Sequence, residues 1–217
     1  MRTGVRSPLG DFRSDPGHAE VTATFGNLET DVEPLAGLMR EHIEVHGLVT
    51  AAREAVDLAI ERPGQAELAL AAMENLRDLV AYLEVDLVIH IAKEEDVLFP
   101  ALRGFAAEID KVVAEMVEQH DEVRLRKAII ERALAHVDGT HDEVQVEAAG
   151  ISAALARAGH APSVEALIEL LDGVKRLDWI LQGHFGDEED DLFPPALELL
   201  TPEVFAELAR QAKALEE

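Results

Sequence analysis

The sequence contains no cysteine. Disulfides, thiolate nucleophiles and cysteine-ligated zinc or iron–sulfur centres are therefore excluded. Aromatic residues make up only 4% of the 217 residues, while Ala, Leu, Glu and Arg, all strong helix formers, are abundant. Cations are scarce: 19 Lys and Arg stand against 44 Asp and Glu, a formal net charge of −25. Such a chain has too little cationic surface to neutralise phosphates, so neither nucleic acid nor an anionic membrane is an expected partner. Bound cations, in contrast, suit it. No uncharged apolar run reaches the roughly 18 residues of a membrane-spanning helix. Residues 1–20 lack the apolar stretch of a signal peptide, which makes the cytoplasm the expected location.

What is present is helical periodicity. Leu35, His42, Val49 and Val56 recur at every seventh position, with Leu38, Val45 and Ala52 as companions. This seam predicts a first helix from about Asp31 to the breaker Arg62-Pro63-Gly64. A second runs from about Ala66 to Phe99-Pro100, with Leu76, Leu83, His90 and Val97 in one row and Val80, Leu87 and Glu94 in the other. A third runs from about Ala107 to Asp138-Gly139 through Val113, His120 and Leu134, and Lys127 interrupts its row. A fourth starts near Pro162-Ser163 and carries Leu170, Leu177 and His184 beside Val174, Leu181 and Glu188, reaching Phe193-Pro194. A short last helix begins at Pro202, with Thr201 as its cap and Glu203 in the first turn. The expected fold is all-α: an up-and-down four-helix bundle over residues 29–200, with an insertion at 139–161 between helices three and four. A flexible leader (1–28) precedes it and an extra C-terminal helix (201–217) follows.

An internal repeat accompanies this pattern. HIAKEEDVLFP (90–100) aligns with HFGDEEDDLFP (184–194), and EHIEVH (41–46) aligns more weakly with QHDEVR (119–124). Four histidines, His42, His90, His120 and His184, thus fall in the apolar seams of four different helices. Glu94 and Glu188 each lie one turn after a seam histidine and on the same helix face. In an up-and-down bundle, residues on neighbouring helices are level when the turn lies midway between them. The midpoint of His42 and His90 falls at residue 66, beside Pro63-Gly64; that of His90 and His120 at 105, beside Gly104; that of His120 and His184 at 152, near the centre of the 139–161 connection. All four histidines are therefore expected in one layer.

A single seam histidine is ordinarily a hydrogen-bonded core residue. A seam glutamate is harder to account for, because an unpaired buried carboxylate costs several kcal/mol. A metal ion neutralises both carboxylates and accepts every imidazole. Four His and two Glu exceed one tetrahedral zinc; two octahedral ions, with the carboxylates bridging and positions left open for a small molecule, fit better. His46, one turn after His42, is a further candidate ligand. His18 lies in the leader, and His136, His141 and His160 lie at or beyond the end of the third helix, so these four are expected at the surface. Glu95 and Glu189 follow the candidate ligands and are rotated about 100° from them, which places them at the rim.

The order His42 … His90-x-x-x-Glu94 … His120 … His184-x-x-x-Glu188, with Leu-Phe-Pro trailing each Glu, resembles the hemerythrin-like, or HHE cation-binding, family over about residues 31–200. The resemblance implies a four-helix bundle around a non-haem di-iron centre with an oxo or hydroxo bridge. Glu94 and Glu188 would be the bridging carboxylates, and His42, His90, His120 and His184 the terminal ligands. Manganese suits the same donors. The function it implies is binding of a diatomic ligand, O2 or NO, in sensing, storage or detoxification. Peroxide breakdown by the same centre, or iron sensing and storage, is the alternative. In this chain the His-x-x-x-His pair is on the first helix, at His42 and His46, whereas the third carries His120-x-x-x-Arg124.

Overall fold

The computed structural model describes residues 28–138 and 162–217, apart from the side chains of 136–138. The 1–28 leader up to residue 27, the 139–161 insertion, His18, His141 and His160 lie outside the described residues; His136 lies within a helix but its side chain is among those not described. The described residues are helical, with no strand among them. Helix α1 spans Leu35–Glu61, α2 Ala66–Glu84 and α3 Asp86–Ala92. A π-helical turn, Lys93–Leu98, leads into α4, Phe99–Leu102. Helix α5 spans Ala107–Asp138 and α6 Val164–Asp187. A second π-helical turn, Glu188–Leu192, leads into α7, Phe193–Leu199, and α8 spans Pro202–Ala214.

Local chemistry explains the boundaries. Gly64 and Gly104, at φ 94° and 86°, turn the chain between α1 and α2 and between α4 and α5, a conformation that costs glycine nothing. Ser163 caps α6 by accepting from the Ala166 N–H, and Thr201 caps α8 by accepting from Val204, so each cap satisfies an otherwise orphaned first-turn donor.

The second and fourth helices differ from the sequence expectation in two ways. The second is interrupted at Val85, whose N–H turns to the Tyr82 carbonyl, three residues back, before the helix restarts at Asp86. Neither Pro100 nor Pro194 stops its helix. Each stands in the first turn of the α-helix that resumes after a π turn, where a missing N–H costs least. Lys127, which breaks the apolar row of α5, stays half-buried and reaches outward to Glu131, 2.6 Å away, so its stem covers apolar surface while its charge is paired.

α1 packs along both α2 and α6, α5 packs along α6, and α5 also meets α2. Their buried side chains form two separate apolar clusters. One holds Val45, Val49, Leu76, Leu79, Val123, Leu170 and Phe185 among others. The other holds Leu38, Leu98, Phe99, Met116, Leu192 and Phe193, with Phe205 and Leu208 of α8 closing it. Along α1, His42 lies between Leu38 of the second cluster and Val45 of the first; along α5, His120 lies between Met116 and Val123. A polar layer thus divides the core.

Leu76 is fully buried in the larger cluster. Leu76→Ala is expected to cost about 2–5 kcal/mol through lost burial and a residual cavity, read as a lower midpoint in urea denaturation with the slope unchanged.

Candidate metal centre

The dividing layer contains His42, His90, His120, His184, Glu94 and Glu188, none more than 2% exposed. Their donor atoms converge. His90 Nε2 lies 2.8 Å from Glu94 Oε1, and His120 Nε2 lies 2.9 Å from Glu94 Oε2. His42 Nε2 is 3.2 Å from Glu188 Oε2, His184 Nε2 is 3.8 Å from Glu188 Oε1, and the Nε2 atoms of His120 and His184 are 3.1 Å apart. Despite these approaches, His42 Nε2, His90 Nε2 and all four oxygens of Glu94 and Glu188 make no hydrogen bond. Buried polar atoms are ordinarily satisfied, and inward-facing lone pairs clustered this closely are what a cation satisfies. Two donor groups result: His42, His90, Glu94 and Glu188, and Glu94, His120 and His184, with Glu94 common to both.

The other ring nitrogens explain how the imidazoles are held. His42 Nδ1 donates to Glu189 Oε1 at 2.8 Å, His90 Nδ1 to Glu41 Oε2 at 2.8 Å, His120 Nδ1 to Glu95 Oε1 at 2.7 Å, and His184 Nδ1 to Gln119 Oε1 at 2.8 Å. Carboxylate and amide oxygens only accept, so Nδ1 carries a proton in each ring, which leaves Nε2 as the atom that can offer a lone pair to a cation at the centre. Such partners fix ring orientation and raise ligand basicity. Phe185 stacks on the His42 ring at 3.9 Å between centroids, a wall against solvent.

Electrostatics show what the layer does with protons alone. Burial opposes a charged His90, but the Glu94 carboxylate and the bond to Glu41 lift it to about 10. Burial and the neighbouring Glu94 charge push Glu188 up to about 7. Burial drives His184 down to about 3. Glu94 is held well below the usual carboxylate range, because the attraction of His90 and His120 overcomes its desolvation.

Six of the seven candidate ligands are therefore brought together. His46 is not among them: half-buried one turn further along α1, it sits with Nδ1 3.8 Å from Asp178 Oδ1. Asp178 in turn accepts from Arg53 at 2.8 Å and Gln182 at 2.7 Å. Glu189 is not a rim residue: it holds the His42 imidazole and is only 3% exposed; Glu95 is partly exposed at the rim but also holds an imidazole, that of His120. Their placement follows from the π turns. The N–H of Phe99 bonds to the Glu94 carbonyl and that of Phe193 to the Glu188 carbonyl, five residues back. A π turn holds more residues than an α turn, so the 100° step does not apply at these positions. Glu41 and Gln119 were also not foreseen; their signal is the repeat itself, since each directly precedes a seam histidine and supports the histidine of a neighbouring helix.

The model of the hemerythrin HHE cation-binding domain matches residues 33–157. The chain belongs to the hemerythrin HHE cation-binding family. The match includes His42, His90, Glu94 and His120; His184 and Glu188 come from the repeat beyond it. No curated protein and no solved structure matches the chain.

Glu94→Ala and Glu188→Ala are each expected to lose bound metal and lower the melting temperature. Elemental analysis and thermal denaturation check this, and retained metal with unchanged melting in both variants contradicts it. Adding metal at about 100 times its Kd to the metal-free native protein is expected to stabilise it by about 2.7 kcal/mol.

Proposed function

We propose that this protein holds two non-haem iron ions between its helices, arranged as an up-and-down four-helix bundle, and binds a small diatomic ligand such as O2 or NO. The observation that carries this reading is the posture of the two carboxylates. Glu94 turns one oxygen toward His90 and the other toward His120, and Glu188 turns one toward His42 and the other toward His184. A carboxylate facing two imidazole sets in this way suits a bridge between two cations. The all-nitrogen-and-oxygen donor set suits iron, and manganese by the same chemistry. The protein donors fall short of two complete octahedral shells, which leaves room for an oxo or hydroxo bridge and for a ligand. An iron pair so held supplies redox chemistry and open coordination positions. The chain's own part is to orient the imidazoles through Glu41, Glu95, Gln119 and Glu189 and to exclude water with Phe185, Phe99 and Phe193.

Among the described residues no helix is long and apolar enough to cross a membrane, and binding of a freely diffusing small ligand requires neither membrane nor nucleic acid. Sensing, storage and detoxification all follow from such binding. Peroxide breakdown is the competing reading. It needs an acid–base group at an open position, whereas the buried Glu189 and the half-buried Glu41 and Glu95 are already engaged by imidazoles, which favours binding over turnover.

Anaerobic titration of the reduced, iron-loaded protein with NO, and then with O2, is expected to change its visible spectrum saturably. An unchanged spectrum with both overturns the proposal. Peroxide consumption that is lost in His90→Ala would move the enzymatic reading to first place.

A further inference from the structure

The two halves of the repeat hold their imidazoles differently. Position 41 is Glu, and its counterpart at 119 is Gln. Glu41 presents a carboxylate oxygen to His90 Nδ1, and the buried Lys93 braces it at 2.5 Å while also reaching Glu216 at 2.6 Å. Gln119 presents a neutral amide oxygen to His184 Nδ1, oriented by donation from its Nε2 to Asp187 Oδ2 at 3.1 Å. The remaining pair differs too. Glu189, on His42, is buried, whereas Glu95, on His120, is partly exposed and shared with Arg124 at 3.0 Å. A charged acceptor behind an imidazole makes the opposite nitrogen a better donor than a neutral one does. The donor atoms facing inward are unequal in the same sense. One group has four members with two carboxylates, the other three members with one, and Glu188 leans toward His42, at 3.2 Å against 3.8 Å for His184.

We propose that the two cation positions differ in affinity: His42, His90, Glu94 and Glu188 form a tight position that fills first, and Glu94, His120 and His184, which Glu188 approaches less closely, a weaker one that fills second. Glu41 and Gln119 are the positioning residues that set the difference. The inference rests on the dinuclear reading above and adds an order of filling to it.

Cobalt(II) titration of the metal-free full chain, followed by visible absorption against a competing chelator, tests it without any activity measurement. The expected result is two ions per chain in steps separated at least about tenfold. Glu41→Gln is expected to weaken the tight step by about 10–100-fold and leave the weak step in place. Gln119→Glu combined with Asp187→Asn, which keeps an amide N–H for the new carboxylate, is expected to strengthen the weak step by about tenfold. Indistinguishable steps in the native protein, or a Glu41→Gln effect on the weaker step, overturn the inference and leave the dinuclear reading standing. Uptake of fewer than two cobalt ions overturns both. If Glu41→Gln loses its helical circular dichroism, the double variant decides alone, and an unchanged weak step in it overturns the inference.

Discussion

Glu94 and Glu188 are carboxylates with no exposure, set between two apolar clusters, and the rest of the structure is organised around that constraint. Removing such charges from water is costly unless they are paired and hydrogen-bonded. Here four imidazoles face them, yet their oxygens accept no hydrogen bond. The layer therefore has no good way to balance itself without taking up positive charge. Protons are a poor substitute. The surrounding carboxylates lift His42, His90 and His120 toward the protonated form, and burial lifts Glu188, but burial lowers His184, a few ångströms away. Cations held in the layer, as proposed above, would relieve both carboxylates and use the inward-facing nitrogens.

The imidazole partners come from a consistent exchange between helices. The residue preceding the histidine on α1 supports His90, and the one preceding the histidine on α5 supports His184. The residue after Glu94 supports His120, and the one after Glu188 supports His42. Each of the four helical segments that carry a histidine of the layer therefore orients an imidazole carried by a neighbour, and the layer is one connected network rather than four independent side chains. The two π turns make this possible, since each allows one Glu to face the centre while the next reaches an adjacent imidazole. π turns commonly mark functional positions, and both occur here at the ligand-bearing glutamates.

Much of this was legible in the sequence. Heptad spacing located the helices, and the breaks at Gly64 and Gly104 set neighbouring helices in register, so four histidines and two glutamates could be placed in one layer before any coordinates. These inferences work because α-helical rise and rotation are regular and because apolar residues mark the buried face. Where the regularity fails, so does the inference. Pro100 and Pro194 read as stops because a proline inside an α-helix loses a hydrogen bond, but the preceding π turns move them into a first turn. Glu189 read as a rim residue by the same α-helical arithmetic, yet it is buried against His42.

The sequence by itself determined the helical class, the acidic character and the repeat, and it marked the six inward donors among seven candidates, because all of these depend on residue type and local periodicity. Only the tertiary structure decided which nitrogen of each imidazole faces the centre, which residue on another helix holds it, and that His46 turns to Asp178 instead. Those choices depend on how helices distant in sequence approach one another, down to a few tenths of an ångström. They also depend on two local departures from α-geometry that no α-periodic pattern encodes.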